Sequence, residues 1–354
     1  MTYELLKRVS VKCTLVVFLL LGSATASFAC QVCLEAAREL LTIGGQLDVA
    51  DQVVLAAATD PTQFRVVAVV KGADAVGDIV TDPVTDVGAT APSERDPWLL
   101  LRDGLAPQWT AVGAIGARYA DWLRQLVSVD RSEAGWRRRI ELVLPYLEDP
   151  DPLAAQIAAG EVARAPYASL DAAKSDLDPN LVEGWLDHPW LASRCTPYTL
   201  LLGFAGGASD ANHIERRIGW ARQTHDAANL AAMLTADLQL RGPDRVGWLE
   251  QAYFADQSLS MAEIEAALLA LKVHGDANVA AVPRERVIQA YRVFIKQRPA
   301  MAGFVAQELA EWGYWDAASE YAALLEADAI KDPASEFAVG VYLRQAADAT
   351  AARQ

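Results

Sequence analysis

The spacing of apolar residues changes near residue 120, and this change limits the possible folds more than any other feature of the sequence. Before it, short valine-rich runs at 49–58 and 63–70 are bounded by turn residues, which is typical of β-strands. After residue 117, Ala and Leu dominate and apolar residues recur at spacings of three and four, as on one face of a helix. The chain is therefore expected to be a multidomain α+β protein.

The strand-rich part, residues 30–117, is predicted to form a small antiparallel β-barrel of short strands. Asp60-Pro61 marks the turn of a hairpin between the first two strands. A short helix is expected at 34–41, ended by Gly44-Gly45. The expected strands are residues 49–58, 63–70, 78–81, 98–102 and 109–113, with 82–96 as a loop rich in Pro, Thr, Ser and Asp.

The helical part, residues 137–354, follows a connecting helix at 118–136. Ser260 and Glu263 have the spacing of a capping box, which predicts a helix start, and Gly275 is expected to end that helix. Short helices follow one another with breaks of only a few residues. This rhythm indicates an all-α stack of helical hairpins.

A weak internal repeat accompanies the helical rhythm. The pattern aromatic-Leu-acid-x-Pro occurs at 146–150 and again at 185–189, 39 residues later. On this pattern, residues 137–350 resemble HEAT-like or armadillo-type α-solenoid proteins, in which repeats of about 40 residues bury their apolar faces against one another. The resemblance implies an extended surface for protein partners. An irregular helical domain without true repeats is the alternative.

The first part of the chain has a separate resemblance. The cysteine motif at 30–33, the run at 50–55 (ADQVVL) and a strand that ends in Val69-Val70-Lys71-Gly72 are similar to the netrin-type modules of metalloproteinase inhibitors. That resemblance implies a five-stranded OB-like barrel. The family has Cys-x-Cys and further cysteines in the barrel, whereas this chain has Cys-x-x-Cys and no cysteine at 34–194. Protease inhibition is therefore not carried over.

Residues 1–29 have the features of a cleavable signal peptide. Basic residues in the first twelve positions precede an uncharged run at 14–21, and Ser27-Phe28-Ala29 has small residues at the −3 and −1 positions of a signal peptidase site. The apolar run is too short to span a bilayer, which takes about 20 residues. We expect export to the periplasm or cell envelope, with no transmembrane span after cleavage. An uncut membrane anchor and a lipid anchor at Cys30 are the alternatives.

The chain is strongly acidic, with a net charge of −15. Nucleic acid is not an expected partner, because phosphate backbones bind clustered Lys and Arg. Arg137-Arg138-Arg139 is the one dense basic run in the sequence. We predict that these three arginines form the solvated face of a helix.

Three cysteines remain after signal cleavage: Cys30, Cys33 and Cys195. Cysteines tend to pair in an oxidising compartment, so Cys30 and Cys33 are expected to form a disulfide, or Cys195 to bridge to the amino terminus. A thiolate at Cys33 is also favoured by the helix expected after it, which leaves a redox role open. A metal or lipid role is the remaining alternative.

No recognised catalytic or cofactor motif is present. The sequence has no Gly-x-Ser-x-Gly, no His-Glu-x-x-His and no phosphate-binding Gly-x-x-x-x-Gly-Lys. His188, Cys195 and His213 offer zinc ligands, but their spacing fits no known motif. His225 and His274 are expected at the surface or at helix ends, where a histidine complements the helix dipole. No catalytic residue, metal or cofactor is predicted.

The ten tryptophans are more than usual for 354 residues. Trp185 and Trp190 flank the second repeat turn, and Trp312 and Trp315 flank Gly313-Tyr314. We expect them to wedge between stacked helices. The alternative is a binding surface, because exposed Trp and Tyr dominate the energetics of protein interfaces.

These features together predict a non-enzymatic scaffold or protein–protein interaction module of the cell envelope. The partner would be another envelope protein, because an α-solenoid offers an extended surface and no catalytic group competes with that interpretation. A thiol-redox or metal-binding protein that uses Cys30 and Cys33 is the alternative function.

Overall fold

The computed structural model describes residues 42–84, 92–104, 108–277 and 281–352. Over these residues the protein is an α+β fold, in which a five-stranded antiparallel sheet precedes a long series of helices. The expected signal peptide at 1–29, Cys30, Cys33 and the helix expected at 34–41 lie outside the described residues. None of the described helices is both long and apolar enough to cross a bilayer.

The five predicted strands are confirmed, with small shifts of their ends. They are β1 (Gln52–Ala58), β2 (Gln63–Lys71), β3 (Ile79–Thr81), β4 (Trp98–Arg102) and β5 (Thr110–Ala114). The order across the sheet is β3-β2-β1-β4-β5, and all neighbours are antiparallel. Asp60 forms the β1–β2 turn as expected, because its carboxylate accepts hydrogen bonds from the backbone N–H groups of Thr62 and Gln63, both at 2.8 Å.

The chain beyond β3 returns to β5. Val84 and Thr110 form a parallel bridge, in which the N–H of Val84 donates to the carbonyl of Trp109 at 2.8 Å and the N–H of Ala111 donates to the carbonyl of Val84 at 2.9 Å. The sheet is therefore a curled half-barrel, in which the chain just beyond the edge strand β3 is hydrogen-bonded to the opposite edge strand β5. The core of this curled sheet includes Val54, Phe64, Val66, Val80, Trp98 and Leu100.

The helices follow in quick succession. The α-helices are α1 (Ile43–Val49), α2 (Ala120–Ser128), α3 (Glu133–Val143), α4 (Pro152–Arg164), α5 (Pro179–Leu186), α6 (Cys195–Ala205), α7 (Ala208–Thr224), α8 (Leu230–Arg241), α9 (Arg245–Leu249), α10 (Met261–Asp276), α11 (Arg284–Gln297), α12 (Ala306–Glu311), α13 (Ala318–Glu326) and α14 (Pro333–Ala351). Tight 3₁₀ turns cover Ala117–Tyr119, Leu144–Tyr146, Tyr167–Ala173, Pro189–Arg194 and Pro299–Val305, and Glu250–Phe254 forms a π-turn.

The chain divides into two compact units. The first, called the sheet unit, holds the residues up to Asp130 and Pro145–Arg164; the second, called the helical unit, holds Arg131–Leu144 and the residues from Ala165 onward. Residues 145–164 thus belong with the sheet, because α4 packs against α1. The prediction placed all of 137–354 in one helical domain. The two copies of the aromatic-Leu-acid-x-Pro pattern fall in different units.

A buried group of charges joins α1 to α4 in the sheet unit. The guanidinium of Arg164 donates to Asp48 on α1 and to Glu161, at 2.7 Å in each case. These side chains are all nearly inaccessible to solvent. The attraction compensates for the loss of hydration only while the partners stay together, since a buried charge without its partner is strongly destabilising.

Gly44 and Gly45 do not end a helix, which corrects the sequence prediction. Both lie in the first turn of α1, whose N-cap is Thr42. Gly44 is needed for close approach, because a Cβ at this position would overlap the carboxylate of Glu161. Gly44 therefore lets a charged side chain of α4 reach the backbone of α1.

Helices of the helical unit pack both against their neighbours in the chain and against helices two positions away. Helix α8 packs against α6, α7 and α10. Glu183 contacts His213 at 3.5 Å, and Asp187 pairs with Arg217 at 3.0 Å, which links the end of α5 to α7. The two contacts occur in the same order along both segments, so α5 and α7 run in the same direction.

The basic run on α3 is only partly solvated. Arg137 and Arg138 are exposed and pair with Asp171 and Glu141, at 2.8 and 2.9 Å. Arg139 is 1% exposed, and its guanidinium lies 5.5 Å from the ring centroid of Trp136. The prediction of a solvated face is wrong for Arg139, because three consecutive helix residues turn through about 200° and cannot share one face.

Helix α10 begins at the predicted capping box. The backbone N–H and the hydroxyl of Ser260 donate to the carboxylate of Glu263 at 2.8 and 2.7 Å, and the N–H of Glu263 donates to the Ser260 hydroxyl at 3.3 Å. Gly275 does not end this helix, which continues to Asp276. A Cβ on Gly275 would overlap the indole of Trp312, so this glycine makes room for the tryptophan.

Replacing Ser260 by alanine is expected to lower the free energy of unfolding by about 1 kcal/mol, the usual value of an N-cap side chain. The loss arises because the N–H of Glu263 loses its acceptor and the buried Glu263 carboxylate loses a donor. Urea unfolding followed by circular dichroism measures the change. Ser193→Ala, at an exposed serine, is the matched control. Equal midpoints for both variants would contradict the role of the capping box.

Candidate functional site

A cleft in the helical unit has a volume of about 180 Å³. Its apolar walls are formed by Leu268 and Leu269 of α10, Tyr291 of α11 and Phe304 of the Pro299–Val305 turn. Tyr291 is fixed in place, because its ring stacks on that of Trp312 with centroids 5.5 Å apart. This space, called the Lys272 cleft after its one basic lining residue, is large enough for a small organic molecule, since a cavity of about 150 Å³ holds benzene.

The polar lining of the Lys272 cleft is an ion pair with a spare acceptor. The ammonium of Lys272 donates to Oε1 of Glu308 at 2.9 Å. Oε2 of Glu308 is buried and has no hydrogen-bond partner among the described residues. Burial disfavours the charge on Lys272, but the hydrogen bond and the attraction of Glu308 outweigh it, so the pKa of Lys272 is raised.

Carboxylates outnumber cations around the Lys272 cleft. Glu265 lines the cleft beside Glu308, and Asp276 and Glu311 also attract the ammonium of Lys272. Asp276 accepts a hydrogen bond from the indole N–H of Trp312 at 2.9 Å. The local charge is therefore negative, although Lys272 itself is positive.

A second feature of the helical unit is a pair of exposed tryptophans. Trp190 is 88% exposed and Trp220 is 60% exposed. Arg217 of α7 pairs with Asp187 at the end of α5. Trp190 follows Asp187 by three residues and Trp220 follows Arg217 by three, so each tryptophan lies within a few residues of this ion pair along the chain. These two residues are called the Trp190 surface.

The other predicted interface tryptophans are half-buried and packed on tyrosines. Trp185 lies 5.0 Å from Tyr198, and Trp315 lies 5.4 Å from Tyr342, measured between ring centroids. Trp312 stacks on Tyr291 as described. These contacts are those of wedges between helices. Trp190 alone of the four predicted residues is largely exposed.

Cys195 is half-buried at the first position of α6 and forms no disulfide with another described residue. Its sulfur lies 4.0 Å from the carbonyl oxygen of Leu191. The described residues contain no group of three potential metal ligands among His, Cys, Asp and Glu. Whether Cys195 pairs with Cys30 or Cys33 remains a prediction, because those two residues lie outside the described part of the chain.

His274 lies in the last turn of α10, which confirms the predicted helix-end position, but it is fully buried and not at the surface. Its Nε2 lies 3.0 Å from the carbonyl oxygen of Thr235 and must donate to it. Its Nδ1 has no hydrogen-bond partner among the described residues. Burial lowers the pKa of His274 to about 4, so the ring is neutral at pH 7. His225, by contrast, is exposed at the end of α7, as predicted.

A charged network joins α7 and α8. The carboxylate of Asp237 is buried and accepts from Arg241 at 2.9 Å and from Arg245 at 2.6 Å, and both arginines also pair with Glu215. Burial raises the pKa of Asp237 although both arginines oppose the shift. Because the acceptors and donors of this network are matched to one another, it is best explained as a structural link.

The residues of the Lys272 cleft were not found by sequence reasoning. Lys272 and Glu308 lie on different helices, 36 positions apart, and nothing in their local pattern connects them. Trp220 had a usable signal, because it is a large aromatic residue on a helix whose other residues are mostly polar.

No protein-family model matches the sequence, and neither a curated protein nor a solved structure shows significant similarity to it. The resemblances to HEAT-like and netrin-type proteins therefore stay as predictions.

Proposed function

We propose that this protein is an exported, non-enzymatic interaction module of the cell envelope, and that the Trp190 surface is its main contact with a protein partner. The exposure of Trp190 carries this proposal. Burying a tryptophan removes about 200 Å² from water, which is worth about 5 kcal/mol at 25 cal/mol per Å². A side chain of this size left in solvent favours a binding role, because tryptophans are enriched among interface hot spots.

The proposed architecture is a HEAT-like stack of helical hairpins in the helical unit and an OB-like barrel in the sheet unit. The parallel direction of α5 and α7, with α8 packed against α6, supports the stack. The bridge between Val84 and Thr110 supports the barrel, because it joins the two ends of the sheet. A hairpin stack would present the Trp190 surface beside the turns of successive repeats.

The proposed location is the periplasm or cell envelope, after removal of the signal peptide at 1–29, with a lipid anchor at Cys30 as a variant of it. The net charge of −15 supports an acidic surface that repels nucleic acid. Intact-mass measurement of the exported form would establish the cleavage site and any lipid at once. An unprocessed mass would contradict this part of the proposal.

Site-specific photo-crosslinking tests the partner contact. We expect p-benzoylphenylalanine at position 190 or 220 of the full chain, expressed in cells, to give the same discrete crosslinked adduct. Phe337, an exposed aromatic residue in α14, is the matched control position and is expected to give none. Trp190→Ala should also weaken the adduct formed at position 220. Equal labelling at all three positions, or no adduct at 190 and 220, would contradict the proposal.

A further inference from the structure

The strand β3 lies at one edge of the sheet, with β2 as its single neighbour. Alternate residues of β3 make the hydrogen bonds to β2, as in every antiparallel pair. The carbonyl of Asp78 accepts from the N–H of Val66 at 2.9 Å, and Val80, two residues later, has the same orientation. The N–H and C=O groups of Ile79 and Thr81 therefore point away from β2.

These four backbone groups, called the β3 edge, have no hydrogen-bond partner among the described residues. Ile79 and Thr81 are both exposed. An unpaired strand edge is a template for another extended chain, because only a strand presents N–H and C=O groups at the matching spacing of two residues. The β3 edge therefore fixes the backbone conformation of a ligand before any side chain is considered.

Exposed apolar side chains are concentrated around the β3 edge. Val76 is 70% exposed, Ile79 is 49% exposed and Val84 is 48% exposed. They are three of the ten large apolar residues that are exposed in the described part of the chain, and all three lie within residues 76–84. Single exposed apolar residues are normal, whereas a group of them favours a binding site. A strand added at the β3 edge would cover part of this group.

Carboxylates at both ends of β3 determine the charge of a partner strand. Asp78 precedes the strand and Asp82 follows it, and both are exposed. Neither forms an ion pair with a described residue. Arg65 of β2 stands opposite Ile79, in the middle of β3, and disfavours a basic residue there. The charges therefore favour Lys or Arg opposite the two aspartates, with uncharged residues between them.

A second copy of this chain does not fit the β3 edge. If two β3 strands paired antiparallel with Ile79 opposite Thr81, Asp78 of each copy would stand opposite Asp82 of the other. Like charges directly opposite one another destabilise strand pairing. Charged residues at a sheet edge commonly prevent self-association in this way. The same two aspartates attract a basic strand.

We propose that the β3 edge binds an extended polypeptide segment, which pairs antiparallel with β3 and has basic residues at both ends and β-branched residues between them. Antiparallel pairing is the more stable kind per residue and continues the pattern of the sheet. The residues opposite Ile79 and Thr81 exchange N–H···O=C hydrogen bonds with them. The basic ends lie against Asp78 and Asp82. This site lies in the sheet unit and does not depend on the Trp190 surface, so either can fail alone.

The test is an NMR titration of the full chain, labelled with ¹⁵N on isoleucine and threonine, with the peptide acetyl-Lys-Thr-Val-Val-Lys-amide. We expect the amide protons of Ile79 and Thr81 to shift downfield and to exchange more slowly, because both donate to the peptide. N-methylation of the second and fourth peptide residues, which face Thr81 and Ile79, should weaken binding about tenfold or more, since two backbone hydrogen bonds are lost. N-methylation of the third residue, whose N–H faces solvent, should leave the affinity unchanged.

Two variants test the same contact from the side of the protein. Thr81→Pro removes one donor of the β3 edge and should weaken binding about tenfold. Proline is tolerated in an edge strand at a position where the N–H faces solvent, and an unchanged circular dichroism spectrum checks that this variant folds. Thr81→Val keeps the N–H and is the matched control, which should bind like the wild type. A peptide with Glu in place of both lysines should bind more weakly than the original.

Four results would overturn this assignment. The first is the absence of any amide shift at millimolar peptide. The second is equal binding of the doubly N-methylated peptide or of the Glu peptide. The third is slow exchange of the Ile79 and Thr81 amides before peptide is added, since the chain would then pair this edge with itself. The fourth is a dimer in sedimentation that is lost in Thr81→Pro, which would assign the edge to a second copy.

Discussion

Replacing Gly303 by alanine is expected to lower the free energy of unfolding by about 3 kcal/mol, at the upper end for an overpacked core. Gly303 lies in the Pro299–Val305 turn, where a Cβ would overlap the backbone of Ser335 at the start of α14. A side chain can rotate away from such a contact, whereas backbone atoms move only if the helix moves with them. The single added methyl group therefore displaces α14.

The surroundings of Gly303 leave little room for that displacement. The N–H of Ser335 donates to the capping carboxylate of Asp332 at 2.7 Å, which holds the first turn of α14. Neighbouring Ala302 is fully buried, and its carbonyl accepts a hydrogen bond from the Tyr321 hydroxyl at 3.0 Å. Relieving the overlap would disturb these contacts together.

Gly340→Ala is the matched control for this prediction. Gly340 lies within α14, and a Cβ there would meet nothing within 4 Å. Alanine is favoured over glycine in a helix interior by about 0.5–1 kcal/mol, so this variant should be more stable than the wild type. Urea unfolding of both variants measures the two changes in the free energy of unfolding, which are expected to have opposite signs. A Gly303→Ala midpoint equal to or above that of the wild type would contradict the close approach.

Acidification from pH 7 to pH 4 is expected to cost about 3 kcal/mol of stability through His274 alone. The pKa of this histidine is lowered by burial to about 4, against an ordinary value of 6.5 in the unfolded chain. Between these two values the unfolded state binds a proton that the folded state does not. Stability is therefore at its full value above pH 6.5 and falls as the pH drops toward 4.

The hydrogen bonds of His274 explain why its ring does not bind a second proton in the folded state. Nε2 donates to the carbonyl of Thr235, so Nδ1 is the site that a proton would occupy. Nδ1 is buried without an acceptor among the described residues, and the ring of Tyr167 lies edge-on with centroids 5.4 Å apart. A charge there would be neither hydrated nor paired.

Comparing His274→Gln with the wild type isolates this contribution. Glutamine retains a donor for Thr235 but has no group that titrates in this range, so the variant should lose less stability on acidification. Urea unfolding at pH 7, 5.5 and 4.5 measures the difference between the two slopes. His188→Gln, at an exposed histidine, is the control and should follow the wild type. Parallel wild-type and His274→Gln curves would show that the ring is protonated without cost.

The strands were predictable because their signals are local. Asp60 and the alternation of β2 lie within a few residues of the structure they specify, and the β1–β2 hairpin follows from them. The capping box at Ser260 and Glu263 is local in the same sense. The division into units was not predictable, because it depends on contacts such as that of Arg164 with Asp48, 116 positions apart.

Two glycines show how a local rule was misapplied. Gly44 and Gly275 were each expected to stop a helix, since glycine is common just after helix ends. Each instead lies within a helix beside a large side chain, Glu161 in one case and Trp312 in the other. The sequence shows the glycine but not the side chain that approaches it.

Burial of polar residues was the least predictable feature. Arg139 was expected in solvent, and His274 at the surface or at a helix end, because isolated arginines and histidines are usually exposed. Both are buried, and their environments are formed partly by helix-packing contacts that no short motif encodes. The Lys272 cleft was not predicted for the same reason, because Lys272 and Glu308 come into contact only when the chain folds and brings α10 and α12 together.

The discontinuous sheet unit has a consequence for dividing the chain by truncation. Asp149 accepts a hydrogen bond from the Tyr119 hydroxyl at 2.5 Å, and Asp151 accepts one from the N–H of Gly116 at 2.7 Å. A fragment that stops at residue 130 would lose both acceptors, together with the partner of Asp48 on α4. No single cut separates the two units. To study the sheet unit alone, residues 145–164 must stay joined to the strands. An inserted linker in place of residues 131–144, or a circular permutation, would do this.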